Sequence, residues 1–289
     1  MSEQTAEELN DRGSQLKDSG DIAGAEAAYR AAAALAPDWS APFYNLGLMY
    51  KYLGKWRESL EYNKRAAELN PADEASWWNL GIAATALGDW TQARRAWAAC
   101  DMTAPPGEGA PDFGWGLTPV RLEPEGDAEV VWARRIDPAR AEIGSLPLPT
   151  SPYRWRDVVL TDGAEEGQRI SEGRVYPVFN ALQLLTPSFF RTFVIELGTA
   201  NEHDINALGD LAIEAALGAE YWGNTTHTLC KACSLGLPDG HIDHAAATAF
   251  PHFGIAAQNE SEVSALLEKW RVGSPTRDVV RFYGVPRPL

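Results

Sequence analysis

The chain has 289 residues, enough for two domains that each bury a core. Its 45% hydrophobic content and 11 tryptophans exclude a disordered chain, and its formal net charge of −15 argues against nucleic acid, whose phosphates need a basic face. No apolar run of about 18 residues predicts a membrane span, no basic-then-apolar leader opens "MSEQTAEELNDRG", and three cysteines make no disulfide framework, so a cytoplasmic protein is expected.

The first third carries a fixed period. Gly13, Gly47 and Gly81 stand 34 residues apart, as do Gly20, Gly54 and Gly88, and Pro37, Pro71 and Pro105. Three position classes in one register predict repeats over about 6–39, 40–73 and 74–107. In "FYNLGLMYKYLGKWRESLEYNKRAAELNP", Phe43, Leu46 and Tyr50 share one helical face. Gly47 suits a close approach of two helices, and Gly54 a turn with positive φ. Pro71 ends the second helix. The third unit repeats the pattern with Trp77, Leu80, Gly81, Ala93 and Trp97. Asn63 departs from it, standing where repeats one and three have Tyr29 and Trp97.

Over about Ala6 to Pro106 these residues resemble the tetratricopeptide repeat. The resemblance implies an all-α solenoid of three helix–turn–helix units whose first helices line a concave groove for a protein or peptide partner. Carried over by position, the groove residues are Asn10, Asp11, Ser14 and Asp18; Tyr44, Asn45, Leu48 and Tyr52; and Trp78, Asn79, Ile82 and Ala86. Tyr44 and Trp78 are the expected anchors, rigid aromatics at the same point of successive repeats. Either a partner or the chain's own C-terminal part covers them. Chaperone-binding relatives clamp a C-terminal carboxylate with Lys and Arg on this surface. Asn10, Ala75 and Asn79 occupy those places here, so a clamp for a chaperone tail is not expected.

"PPGEGAPDFGWG" reads as a linker, after which the texture changes and a second domain, 107–289, is expected. "TPVRLEP", "EVVWARRI" and "RWRDVVLTDG" read as strands. "FFRTFVIELG" reads as a buried strand, and a helix capped by Asn201 follows with Ile205, Leu208 and Ala212 inward. "HFGIAAQ" is another strand. Asn259 and Glu262 then have capping-box spacing ahead of Val263, Leu266, Leu267 and Trp270, and "RDVVRFYGV" closes as a strand. A β-rich first half and a β-α-β-α-β second half predict an α+β domain. This segment is similar to C-terminal regions that accompany such repeats in some bacterial proteins, which implies no activity.

The stretch "LCKACSLGLPDGHIDH" joins Cys230 and Cys233 in C-x2-C to His241 and His244 in H-x2-H. Two thiolates and two imidazoles suit tetrahedral Zn2+ in a closed, structural site, with His227, Asp243 and His252 as reserve ligands. A redox C-x2-C and reduced, packed cysteines are the other readings. "DGHIDH" also approaches a metallo-β-lactamase-like motif, with Asp239 in place of its first histidine. No G-x-S-x-G, phosphate-binding glycine loop or H-E-x-x-H occurs.

Residues up to Pro106 hold 10 Lys+Arg against 15 Asp+Glu, net −5, and the remainder 15 against 25, net −10. The leading expectation is a non-enzymatic adaptor with a zinc-braced C-terminal domain. An acidic neutraliser of a basic partner and a metal-dependent enzyme are the alternatives. The sequence sets no oligomeric state.

Overall fold

A computed structural model of the chain describes residues 4–124, 129–198, 201–222 and 252–287. The chain divides into two compact units, Met1–Gly114 with Ile136–Ala139, and Trp115–Arg135 with Arg140–Leu289.

The first unit contains α1 (Ala6–Asp18), α2 (Ile22–Leu35), α3 (Ser40–Tyr52), α4 (Trp56–Leu69), α5 (Glu74–Leu87) and α6 (Trp90–Ala99). Local chemistry sets their ends. The Thr5 hydroxyl accepts from the Glu8 amide at 3.1 Å while the Glu8 carboxylate accepts from the Thr5 amide at 3.0 Å, a reciprocal cap on α1. Asp21 and Asp89 cap α2 and α6 in the same sense, accepting from the amides of Gly24 and Gln92. Gly20, Gly54 and Gly88 make the turns inside each pair at φ 85°, 66° and 70°, where any other residue would be strained.

The second glycine class sets how close the helices of a pair come. A Cβ added at Gly13 would stand 2.6 Å from the Tyr29 ring, one at Gly47 2.5 Å from Asn63, and one at Gly81 2.4 Å from Trp97. Each glycine of a first helix thus receives the equivalent residue of its second helix. Asn63 fills the aromatic's place with a polar link. Fully buried, its amide donates to the Ser59 carbonyl at 2.9 Å and the Ser59 hydroxyl at 3.1 Å, and that hydroxyl donates to the Gly47 carbonyl at 2.9 Å. After α6, Arg94 gathers the linker by donating to the carbonyls of Pro105 and, at 2.9 Å, Gly109.

The second unit opens with a closed barrel of β1 (Leu117–Leu122), β2 (Glu129–Asp137), β3 (Arg140–Ile143), β4 (Val158–Ser171) and β5 (Arg174–Thr186), each strand beside the next. Successive strands of such a meander alternate in direction, so the first and last of five point the same way, and closure is a parallel pair. It has two rungs, Val120↔Phe179 and Arg121↔Asn180, with the Arg121 guanidinium donating to the Asn180 side-chain oxygen across it at 2.8 Å. Val120, Leu122, Val131, Ala133, Ile143 and Val159 are among its core residues.

The remaining described residues form β6 (Arg191–Leu197), α7 (Glu202–Glu214), β7 (Gly218–Tyr221), β8 (His252–Ala257), α8 (Glu260–Val272) and β9 (Val279–Val285). The sheet order is β7-β8-β6-β9, with every recorded pairing antiparallel. Among the described residues this β-α-β-β-α-β order, with its sheet order, matches the split βαβ topology of ferredoxin-like folds. The sequence pattern predicts one strand fewer, because β7 has four residues, three of them half-buried, and offers no readable alternation. Val263, Leu266, Leu267 and Trp270 of α8 and Leu208 and Ala212 of α7 pack on Phe193, Ile195, Phe253 and Ile255. Asn201 and Asn259 cap their helices, accepting from the amides of Asp204 at 2.9 Å and Glu262 at 3.1 Å.

Two ionic knots fasten this unit. Asp204 accepts from Arg277 at 2.7 Å and from Thr276 at 3.2 Å, tying the start of α7 to the segment after α8. Its carboxyl is held below the usual range, chiefly by the Arg277 hydrogen bond. Asp157, also buried, accepts from the amides of Arg154 and Ser188, each at 2.7 Å, and from the Arg287 guanidinium at 2.9 Å. Arg154 in turn donates to the Pro286 carbonyl at 2.7 Å, so the chain end after β9 is strapped to the turn before β4.

Candidate functional site

The first helices of the repeats carry the side chains singled out by the sequence, and their burial differs along the array. Tyr44, Asn45 and Leu48 on α3 are half-buried, and Tyr52 at its end is 59% exposed. The Lys51 ammonium lies 4.4 Å from the centre of the Tyr52 ring, a cation–π contact that stiffens an otherwise mobile aromatic. Asn10 is buried, and its side-chain oxygen accepts from the Asn45 amide at 2.9 Å. These two residues are 35 apart, one more than the period. The bond therefore joins a position to the neighbour of its equivalent, which a search for equal offsets does not find.

Repeat three is different. Trp78 is half-buried and meets Trp97 edge to face, with ring centres 5.6 Å apart. Asn79 is 5% exposed and Ile82 fully buried. Ser76, Trp77, Leu80, Gly81, Ala83, Ala84 and Thr85 of α5 are buried as well. A helix enclosed around its whole circumference packs on more than one side. The Trp78 and Trp97 indole nitrogens are buried without a hydrogen-bond partner among the described residues. Ser14 also turns inward, 3.1 Å from the Tyr29 hydroxyl.

A second polar cluster lies between repeats one and two and has no counterpart in the sequence reading. Arg30 donates to Glu26 at 2.9 Å and to the Tyr50 hydroxyl at 3.0 Å, and Tyr50 stacks on Tyr62 with centres 5.6 Å apart. The Tyr50 hydrogen bond holds Glu26 below the usual carboxylate range, while burial raises Tyr50 itself. Spacing could not have revealed it, since Arg30 and Tyr50 are 20 residues apart. Cys100 is a packed thiol: burial first, then Glu74 and Asp101, push it up to about 11, which suppresses the reactive thiolate.

Cys230, Cys233, His241 and His244, with the reserves His227 and Asp243, lie outside the described residues. His252, the reserve that is described, sits 3.7 Å from a Glu196 oxygen that also accepts from Arg281 at 2.7 Å. Among the described residues no group of three or more His, Cys, Asp or Glu side chains could hold a metal ion. Nor is any described helix long and apolar enough to cross a membrane.

Three helix–turn–helix units with one period, turn glycines and glycine-to-side-chain contacts in register have the architecture of tetratricopeptide repeats, followed by an α+β unit. No protein-family model matches the chain, and no curated protein matches it. Among solved structures, the N-terminal part is similar to the second such domain of Spaghetti (RPAP3) bound to an HSP90 peptide. That likeness has 22% identity and a TM-score of 0.32, over 33% of this chain and 89% of that one. Yeast Tom70 is similar at 22% identity and TM-score 0.32, over 34% of this chain and 20% of that one. The Sgt2 repeat domain from Aspergillus fumigatus follows at 21% and 0.31, over 32% and 62%. This chain thus spans less than two thirds of the last two.

Proposed function

We propose that the protein is an interaction adaptor, not an enzyme, that holds a protein or peptide partner on the first-helix face of repeats one and two. The observation behind this is the surface of α3, where Tyr44, Leu48 and Tyr52 keep exposed area beside the Asn10–Asn45 bond. Large aromatics on a preformed helical array lose little freedom on binding, which is what makes them anchors. The partner contributes apolar side chains and backbone groups. It is not a nucleic acid, given the net charge of −15, nor an acidic tail, given Asn10, Ala75 and Asn79 at the clamp places. The test is affinity capture from the native cell extract, quantified for wild type and for Tyr44→Ala/Tyr52→Ala. Loss of one partner by at least tenfold is expected; equal recovery rejects this face.

A structural zinc on Cys230, Cys233, His241 and His244 is a separate proposal, resting on ligand type and spacing. About one zinc per chain is expected, and Cys230→Ala is expected to release it and unfold the surrounding segment. Metal-free protein from a chelator-free preparation refutes it.

A further inference from the structure

β9 ends its sheet. β6 pairs with one side of it, and no strand among the described residues lies on the other. Every second residue of such a strand turns its N–H and C=O away from the sheet, which makes the edge a template for a further strand. Among the described residues, the main chain of Phe282–Val285 makes no hydrogen bond besides its pairing with β6. The side chains are open as well: Val280 is 64% exposed, Tyr283 44%, and Arg281 is exposed.

Folded chains usually guard an edge like this with a bulge, a proline or a charge. Here the first two stand at the ends. The pairing steps from Glu196↔Arg281 to Leu197↔Val279, so Val280 bulges out at the start, and Pro286 follows the last residue. Between them Arg281–Val285 stays open. Its one charge is already engaged, since Arg281 donates to Glu196 at 2.7 Å and lies 5.4 Å from the centre of the Tyr283 ring.

The order of these residues selects the occupant. An antiparallel copy centred on Tyr283 pairs the open stretch with itself and with nothing else. Tyr283 then faces Tyr283, an aromatic cross-strand pair, Arg281 faces Val285, and Phe282 faces Gly284. Glycine presents no side chain against the incoming ring. On its inner side Gly284 already lies against the Phe193 ring and the exposed Arg191 guanidinium, each 3.2 Å from where a Cβ would stand. Other centres fit worse. One on Phe282 draws the bulged Val280 into the ladder, and one on Arg281 sets two guanidinium groups opposite each other. One on Gly284 draws in Pro286, which has no N–H to give. The strand also carries no acid in a chain of net charge −15, so two copies meet here without setting carboxylates of β9 against each other. We infer that β9 pairs antiparallel with β9 of a second copy across a twofold axis. The resulting particle carries two repeat arrays, which raises avidity for a partner that is itself repeated.

Sedimentation equilibrium of the full chain, from micromolar to about 1 mM, is the test, because a contact this small forms reversibly with concentration. Wild type is expected to approach the mass of two chains. Tyr283→Lys and Tyr283→Glu each set like charges opposite one another across the axis, and each is expected to weaken association at least tenfold. A one-to-one mixture of these two variants is expected to recover it. Ile170→Lys, at a 73% exposed position on β4, is expected to change nothing. A wild-type chain that stays monomeric throughout overturns the inference and leaves the edge to a strand of another protein. Association that survives Tyr283→Lys, falls with Ile170→Lys, or fails to recover in the mixture overturns it as well.

Discussion

Gly81→Ala tests the close approach on which the helical array depends. The new methyl would stand 2.4, 2.5 and 2.7 Å from three atoms of the Trp97 ring, where carbon atoms normally rest about 3.5–4.0 Å apart. The ring has no easy retreat, being fully buried and met edge to face by Trp78. Forcing a methyl group into such a core costs about 1–3 kcal/mol. The rigid ring puts this site at the upper end, and replacing a helical glycine by alanine returns about 1 kcal/mol. A net loss of ~2 kcal/mol is therefore expected, read as a lower urea midpoint by circular dichroism and tryptophan fluorescence. A second variant makes the reasoning specific. Trp97→Leu costs about 3 kcal/mol alone by opening a cavity, but it makes room for the methyl. The double variant should therefore lose at least ~1 kcal/mol less than the sum of the singles. A Gly81→Ala midpoint at or above wild type, or strictly additive losses, would refute the close packing.

Asn63→Leu keeps the branched shape but removes the two buried bonds that the Asn63 amide donates to Ser59, so a loss of about 1 kcal/mol in urea unfolding is expected. A midpoint at or above wild type would mean that relieving the oxygen without a partner among the described residues outweighs those bonds. Asp157→Ala leaves the strap of Arg154 and Arg287 without its carboxylate and should cost about 3–5 kcal/mol, with faster carboxypeptidase trimming of the chain end; trimming at the wild-type rate counts against the strap. Asp204 supplies a pH dependence. Its folded pKa lies below the unfolded value of about 3.9, so its contribution is complete above that pH and disappears as the pH falls through the lower folded value. Asp204→Asn should melt below wild type at pH 6, and the gap should close on acidification toward pH 2. A gap that stays constant would place the effect outside the carboxylate.

The period of the first third made its architecture legible, because each repeat must solve the same packing problem with the same residues. Caps at Asn201 and Asn259 were equally plain, since a cap is a local bargain between one side chain and the next turn. The barrel was not. Its longest strands, β4 and β5, have register shifts at Val158/Val159, Leu160/Thr161, Thr161/Glu165 and Glu165/Gln168, and each resets the alternation that marks a strand. Ile170 and Val175, near the turn between them, are 73% and 57% exposed, so their apolar character misstates their burial. In the candidate groove, the family resemblance singled out Tyr44 and Tyr52 of α3, which are half-buried and exposed, but nothing in the spacing signalled that Asn79 and Ile82 would be enclosed. Enclosure depends on what packs around α5, and one helix's pattern carries no record of that.

The closing pair of the barrel has a kinetic consequence. Its two rungs join segments about sixty residues apart, so they can form only after the intervening strands have ordered, and they are the first long-range contacts to be surrendered in a fluctuation. The seam between β1 and β5 is therefore the expected place for the barrel to open. Amide protons of Val120 and Phe179 should exchange with solvent through small openings well below the global unfolding free energy, while those deep in the β6–β8 ladder wait for the whole unit to come apart.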